Sequence, residues 1–594
     1  MLRVHARSLD GTLQSLRTYL PIPLKPEAAL NSLLGPLGGQ VVLSAPADLV
    51  VALDRKNVDN PAPPYWVFAC TLRSLDEARK AASVANLAME SQGKWTRLQL
   101  RSGGDSWSCL LGADAVGAAR MACSQSDRSR DELAPYALVL PPLNTQSDLR
   151  AELSVETLVR TYEGLWQRGL QMAGLLVPQK FQLGNAAFDR GLTDLTQTLV
   201  GQVGHMANDL RQVAVDISLN NGGAQALLSY QLGSEASWWG QADALAAQQG
   251  TVATPGGFWA LPKDAASASF TVSEVRYGQP LLKLLLPLLD GFLTHDGLAG
   301  AERQALIDLL SAMPMVSGRL ATAVAELPSI DTAASPRGEQ PDWHRLLAGS
   351  TYLLTSEGAD SNGVNWLKSL VATYKRPGVQ AYLRARWKKL GISDPPPSLR
   401  VQPAGKPLGP GAQWFTLNLS LPAGLDRGAF GRSQPTAAKG KSTPLVLHLL
   451  TAQQSGRTWM ALGGDPKLLA TRLSEQLGLS AERTLQQRAG LEALQQPGLR
   501  SGGFTSLRSL GRYLDGAMSL SRLRGTRGAD GRAAIADIAQ LFNMLPHHGE
   551  TVMVHSSRVR RQGPAGGALL GEWVLQIPRT AIEDVVAMVM HLAM

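Results

Sequence analysis

A chain of 594 residues with 44% hydrophobic and 18% charged residues has the composition of a folded globular protein, and its length exceeds what one core usually organises. It contains no run of the ~18–20 uncharged apolar residues that cross a bilayer, which argues against a transmembrane segment. The formal charge of +9 is modest for this length, and ten arginines between residues 500 and 561 carry much of the excess.

The N-terminal segment and the cysteines bear on the compartment. Residues 1–20 lack the continuous apolar run of a secretory signal, so we expect either a cytoplasmic protein or an envelope protein whose leader precedes Met1. The three cysteines, Cys70, Cys109 and Cys123, form no CxxC pair. A bridge between Cys109 and Cys123 requires neighbouring strands, and buried free thiols are the favoured interpretation.

A strand that leads directly into a helix recurs along the chain. After PYWVFACTLR a helix begins at Ser74, where Glu77 completes a capping box. In GRTWMALGGDPKLLATRL (456–473), Asp465 has the place of an N-cap and Pro466 that of the first helical residue. The same joint recurs at 105–120, 256–267 and 571–594. Because it recurs with different residues, we interpret it as part of the scaffold and not as an anion site.

Alternating apolar residues predict antiparallel strand pairs between these joints. VAVDISLNNGGAQALLSYQL (213–232) alternates on both sides of an Asn-Asn-Gly-Gly turn. A second pair is predicted at 414–421 and 444–452. Helical periodicity marks 154–176, which begins at Ser154, and the apolar stretch 280–293 is predicted to be a buried helix.

These elements predict an α+β fold of antiparallel sheets with helices packed on one face, in two similar halves that meet near residue 335. The element order in the first 150 residues predicts a ferredoxin-like sandwich or a relative of it. The expected divisions are an α+β part at 1–150, a helical stretch with a hairpin sheet at 151–329, a linker at 330–344, and a second α+β half with a C-terminal strand and helix at 345–594.

Motifs of nucleotide-binding and nucleophilic enzymes are incomplete. KGKST (439–443) has Pro435 where a P-loop requires a glycine, so we interpret it as a basic loop. GxSxG is absent, and no motif implies a cofactor or identifies a catalytic residue. A hydrolase whose triad is assembled from distant residues is kept as an alternative.

HHGETVMVH (547–555) contains four candidate metal ligands, which are His547, His548, Glu550 and His555. Their spacing matches neither HExxH nor a Cys/His finger, and adjacent histidines rarely bind one metal ion. The favoured interpretation is that the loop histidines are solvated, and no metal is predicted.

Two basic segments, 374–391 and 500–561, are candidate contacts for an anionic membrane or polymer. The candidate contact residues are Arg384, Arg386, Trp387, Lys388, Lys389, Arg522, Arg524 and Arg527. Around the last three there are no interleaved aromatic residues for base stacking, which argues against nucleic acid. The simpler interpretation of the first segment is a helix that packs its apolar stripe inward and leaves its charges in solvent.

In pattern and composition the chain resembles large uncharacterised cell-envelope proteins of myxobacterial type, many of them lipoproteins. The stretches that carry this resemblance are PLKPEAALNSLLGPLGGQVVLSAPADLVVALD, RSLDEARKA and RTWMALGGDPKLLATRL. The resemblance implies export to the periplasm or outer envelope and carries over no catalytic residue. The leading expectation is therefore a non-enzymatic envelope protein that binds an apolar ligand or a protein partner, with a cytoplasmic location as the alternative.

Overall fold

The computed structural model describes most of the chain, with gaps. The described residues are 1–19, 26–53, 64–102, 105–141, 143, 145–248, 253–274, 278–298, 300–313, 319–327, 351–357, 361–389, 395–405, 408–421, 443–511, 542–563 and 567–593. The expected linker at 330–344, the KGK of KGKST and the arginines at 522, 524 and 527 lie outside them.

The strands are β1 Leu2–Ala6, β2 Ala47–Ala52, β3 Tyr65–Thr71, β4 Met89–Gln92, β5 Trp95–Ser102, β6 Asp105–Ala113, β7 Ala119–Ser124, β8 Leu149–Ser154, β9 Leu210–Asn220, β10 Gly223–Leu232, β11 Ser267–Glu274, β12 Arg319–Leu327, β13 Thr351–Glu357, β14 Ser398–Pro403, β15 Gln413–Leu421, β16 Thr443–Gln454, β17 Arg457–Gly463, β18 Leu499–Ser506, β19 Val552–Arg561 and β20 Leu569–Pro578.

The α-helices are α1 Leu9–Arg17, α2 Pro26–Leu34, α3 Leu75–Val84, α4 Asp127–Glu132, α5 Ala134–Val139, α6 Val155–Thr161, α7 Glu163–Lys180, α8 Ala186–Asp209, α9 Trp238–Gln248, α10 Gly256–Trp259, α11 Gly278–His295, α12 Gly300–Ser311, α13 Ser361–Tyr374, α14 Pro377–Lys389, α15 Pro466–Leu477 and α16 Arg579–Ala593. Among the described helices, none combines the length and hydropathy that crossing a membrane requires.

The predicted helix starts are confirmed by their caps. The Asp465 carboxylate accepts the backbone N–H groups of Lys467 and Leu468 at 2.8 and 3.2 Å, and Pro466 occupies the first helical position. The hydroxyl of Ser74 accepts the N–H of Glu77 at 3.0 Å. At both ends a side-chain oxygen satisfies N–H groups that have no partner within the helix, so these joints are scaffold.

The α+β class with antiparallel sheets is confirmed, and the chain divides into two compact units. Unit 1 comprises 1–171, 202–241 and 560–594, and unit 2 comprises 172–201 and 242–559. This division differs from the expected boundary near residue 335. Strands β12 and β13, on either side of that position, pair in register from Ala321–Glu357 to Leu327–Thr351 and belong to the same unit.

In unit 1 the strands form an antiparallel sheet in the order β4–β5–β6–β7–β3–β2–β1–β8–β9–β10–β20. The predicted hairpin at 213–232 is confirmed as β9 and β10. A ferredoxin-like sandwich would place a later strand between β1 and β2. Here β1 pairs directly with β2, from Leu2–Val51 to Ala6–Ala47, so the arrangement differs from that expectation.

Helices lie against both faces of the unit 1 sheet, which differs from the one-sided packing expected. Leu34 of α2 and Ala78 of α3 join a core with Leu111 on one face. Ala137 of α5 joins a second core with Leu110, the next residue along β6, on the other face. Successive residues of a strand point to opposite faces, so a run in which every residue is buried indicates a sheet covered on both sides.

Cys109 and Cys123 form a disulfide with a Cα–Cα distance of 4.0 Å, and the expectation of free thiols at these positions is wrong. The two residues lie directly opposite each other on β6 and β7. Cys70 is the free cysteine and is buried, and burial raises the pKa of its thiol to about 12. The sequence spacing of 14 residues did not reveal the register that joins Cys109 to Cys123.

In unit 2 the strands form an antiparallel sheet in the order β14–β15–β16–β17–β13–β12–β11–β18–β19. The predicted pair at 414–421 and 444–452 is confirmed as β15 and β16. One face carries the main core, in which Phe270 and Leu353 pack with Phe258 of α10 and Leu469 of α15. The opposite face is covered at its β14–β16 end by α13, where Val371 contacts a cluster that includes Phe415.

Candidate functional site

The uncovered part of this second face of unit 2 carries two neighbouring rows of side chains. Residues paired directly across antiparallel strands project from the same face, so the strand registers define the rows. The first row is Val324, Leu354 and Met460, and we call it the apolar row. The second is Ser557, Ser501, Thr271, Thr322, Ser356 and Thr458, and we call it the hydroxyl row.

The apolar row lies at the bottom of a cavity of about 300 Å³ that is half open to solvent. The lining residues are Ser269, Phe270, Thr271, Thr322, Ala323, Val324, Leu354, Thr355, Ser356 and Met460. All of them belong to β11, β12, β13 and β17. The side chains of Val324, Leu354 and Met460 are half-buried, although Phe270 and Ala323 belong to the core on the other face.

The hydroxyl row crosses six neighbouring strands, from β19 to β17. At roughly 4.8 Å per strand interval, it extends over about 24 Å. The hydroxyls of Ser501 and Ser557 are 2.7 Å apart and hydrogen-bonded. Thr271 and Thr322, which lie directly opposite each other, are exposed. Each hydroxyl donates one hydrogen bond and accepts others, so the row is a line of uncharged hydrogen-bonding groups beside an apolar trough.

The strand next to the cavity comes unusually close to its neighbour. Gly503 of β18 lies opposite Ser269 of β11, and a Cβ at Gly503 would collide with the backbone oxygen of Ala268. A side chain is therefore excluded at this position of the register row that contains the apolar row. On the far side of Gly503 the row continues to His555 of β19, and burial lowers the pKa of this imidazole, which favours its neutral form.

The site is suited to binding without covalent chemistry. None of the ten cavity-lining residues has a titratable side chain. General acid–base or nucleophilic catalysis requires such a group, or a base beside a hydroxyl. An apolar trough beside a row of hydroxyls offers instead a surface for a molecule with an apolar body and a polar edge.

The candidate metal ligands are not brought together. Within the described ranges, no three His, Cys, Asp or Glu side chains are grouped so that they could hold a metal ion. Glu550 pairs with Arg508 at 3.0 Å. His548 lies in a turn, where its Nδ1 is 3.2 Å from the backbone oxygen of Asn543. His555 lies apart from them, within β19.

The basic helix α14 directs part of its charge into unit 2. Arg386 and Lys389 lie 2.6 and 3.6 Å from Asp296, whose side chain is almost fully buried. The buried indole Nε1 of Trp387 likewise places that side chain partly in the interior. Arg384 is exposed and donates to a carbonyl of its own helix, and Lys388 is exposed. The candidate membrane contact is therefore reduced to two exposed cations.

Described arginines of the 500–561 segment are paired with acids. In unit 2, Arg500 pairs with the buried Asp243, and Arg508 pairs with Glu550. In unit 1, the partners of Arg560 and Arg561 are Glu572 and Glu235. These pairs offset much of the positive charge that the sequence places here.

Sequence reasoning missed both rows. Each strand does alternate, as in SASFTVSE (267–274), where Ser269 and Thr271 alternate with buried Phe270. That alternation signals an exposed polar face on one strand. It does not show that hydroxyls of six strands share one line, because the register between strands far apart in sequence is set in the folded sheet.

Comparison with known proteins adds little to this geometry. No family model matches the chain, and no curated protein matches it. A solved structure titled "Structure of crystal form I of TP0453" aligns with 39% of this chain and 75% of its own, at 8% identity and a TM-score of 0.19. A likeness this low carries no argument about fold or function.

Proposed function

We propose that this protein is a non-enzymatic binding protein of the cell envelope, and that unit 2 holds a single-chain amphiphile across its open sheet face. The observation that carries the proposal is the apolar row beside the hydroxyl row. The apolar part of the ligand would lie along Val324, Leu354 and Met460, and its polar groups would bond to Thr271, Thr322 and Ser356.

The size and chemistry of the cavity support this class of ligand. A volume of about 300 Å³ is at the lower end of the ~300–1,000 Å³ range of small-molecule sites. The lining residues carry no charge, so recognition would rest on apolar contact and neutral hydrogen bonds. The half-open geometry leaves room for a ligand longer than the cavity to extend along the hydroxyl row.

The Cys109–Cys123 disulfide supports an envelope location. Disulfides persist in oxidising compartments and are uncommon in the cytosol, where thiols are kept reduced. This argument adds to the resemblance to envelope proteins and is independent of the site.

Organic extraction of the natively purified protein, followed by mass spectrometry, tests the proposal first. We expect a co-purified amphiphile, and its identity would define the probe. In parallel, palmitate binding is measured by titration calorimetry for the wild type and for the variant Leu354→Ser/Met460→Ser. The variant should bind on the order of tenfold more weakly, because it removes apolar area from the trough.

Two further variants separate the rows from general effects. Thr271→Val/Thr322→Val keeps the side-chain volume but removes two exposed hydroxyls, so it should weaken binding of the polar amphiphile without unfolding the sheet. Val116→Ser, at a position 79% exposed in unit 1, is the matched control and should bind normally. Equal affinity of all four proteins, or no bound amphiphile and no palmitate binding, would refute the groove as the site.

A further inference from the structure

Helix α7 exposes a stripe of large apolar side chains that the groove does not explain. Met172, Leu175, Leu176 and Phe181 are 58%, 65%, 53% and 56% exposed, and we call these four residues the α7 stripe. Met172, Leu175 and Leu176 are spaced i, i+3, i+4, so they lie on one side of the helix. Folded soluble proteins rarely leave so much contiguous apolar surface in water unless it binds something.

The stripe is exposed although the neighbouring helices pack closely. A Cβ at Gly291 of α11 would collide with the backbone of Phe188 in α8, and one at Gly191 of α8 would lie 3.2 Å from the backbone nitrogen of Leu288. On α7 itself, Pro178 is buried. The stripe is therefore an outward surface of a well-packed helical layer.

The charge around the stripe has one sign. Residues 164–188 contain no Asp or Glu and two cations, Arg168 and Lys180. The ammonium of Lys180 lies 5.9 Å from the ring centroid of Phe181, so a cation and an exposed aromatic ring occupy the same spot. In α11, residues 278–289 also lack acids, carry Lys283 and expose Leu281 and Leu285 at 37% and 42%.

We propose that the α7 stripe docks on an anionic phospholipid surface, with α7 lying in the plane of the membrane interface. Exposed Leu, Met and Phe side chains together with Lys or Arg, and no acidic residue between them, match the apolar boundary and negative headgroups of such a surface. The long side chain of Lys180 can reach the headgroups while Phe181 enters the apolar layer. This contact is independent of the groove and differs from the surface on α14 that the sequence indicated.

Vesicle co-flotation of the full chain tests the proposal. The vesicles are either phosphatidylcholine alone or phosphatidylcholine with phosphatidylglycerol. The wild type should float with the anionic vesicles and bind less as salt is raised. The variant Met172→Ser/Leu175→Ser/Leu176→Ser/Phe181→Ser should lose binding on the order of tenfold or more, because it removes the apolar area that enters the interface.

Matched variants assign the effect to the stripe. Val84→Ser/Val116→Ser removes two apolar side chains that are 77% and 79% exposed elsewhere, and should bind vesicles like the wild type. Lys180→Glu/Lys283→Glu should weaken binding to anionic vesicles only. Thr271→Val/Thr322→Val, which tests the groove, should leave vesicle binding unchanged, so the two proposals can fail separately.

Three results would overturn the proposal. The first is unchanged vesicle binding by the four-serine variant with a native circular dichroism spectrum. The second is equal binding of the wild type to neutral and anionic vesicles. The third is a wild type that ignores vesicles and elutes as a dimer, which the four-serine variant converts to a monomer; the stripe would then be an interface between two copies.

Discussion

Nη1 of Arg386 lies 2.6 Å from Oδ1 of Asp296, and the hydroxyl of Tyr382 donates to the other oxygen of that carboxylate at 2.6 Å. The Asp296 side chain is only 6% exposed. A basic helix that looked like a surface for anions is thus held to α11's C-terminal end by one nearly buried acid, and its charge serves the fold of unit 2.

Replacing Asp296 with Ala should destabilise the protein by about 2–3 kcal/mol, because Arg386 and Tyr382 lose a charged hydrogen-bond partner. The bond from Tyr382 and the nearby cations lower the pKa of Asp296, and burial followed by this bond raises the pKa of Tyr382 to about 12. A lowered carboxyl pKa contributes stability above pH ~4 that is lost as the pH falls. Urea unfolding measures it, and Arg384→Ala, at an exposed site, should change little.

Asp48 in unit 1 is the stronger case, because its side chain is fully buried between two arginines. It accepts bonds from Arg3, His5 and Arg120 at 2.8, 2.8 and 2.7 Å. Asp48→Asn should cost about 3–5 kcal/mol, since two buried guanidinium groups lose their counter-ion. Asp76→Asn, at a side chain 94% exposed, is the control and should cost little.

The pH dependence of this cluster has a definite sign. Burial alone raises the pKa of Asp48, but the bonds from His5, Arg3 and Arg120 outweigh it and hold the pKa well below its usual range. The unfolded state therefore binds a proton below pH ~4 that the folded state does not, and stability falls as the solution is acidified. The wild type should lose more stability between pH 5 and about 2.5 than Asp48→Asn does; equal losses would contradict this assignment.

The disulfide predicts one free thiol per chain. Titration of the denatured, unreduced protein should find only Cys70, and finding three thiols would show that the bridge is absent. Cys109→Ala/Cys123→Ala should lower stability by about 3 kcal/mol, mainly by freeing the unfolded chain. In that variant, added reductant should have no further effect on the urea midpoint.

Two glycines should respond to alanine with opposite signs. Gly503→Ala places a methyl group against the backbone oxygen of Ala268 and 2.7 Å from the Cα of Ser269, and should destabilise unit 2 by about 1–3 kcal/mol. Gly174→Ala in α7 meets nothing within 4 Å and should stabilise the protein by up to about 1 kcal/mol. Thermal unfolding of the pair measures both, and a stabilising Gly503→Ala would show that β18 and β11 are farther apart.

The sequence alone determined what is local in this protein. The caps at Ser74 and Asp465 could be read from it because a helix start depends on a few consecutive residues. The hairpin of β9 and β10 and the α+β class followed from alternation and turn residues for the same reason. Incomplete motifs also argued correctly against a P-loop interpretation of KGKST as a sequence pattern.

Only the tertiary structure decided which distant residues meet. The register of β6 and β7 places Cys109 opposite Cys123, and the order of unit 2's strands aligns Thr271, Thr322 and Ser356 in one row. A one-residue change of register would move each of these side chains to the other face, and local preferences do not set that choice. Long-range packing sets it, because the buried face of each strand must match that of its neighbours, and the groove exists as a consequence.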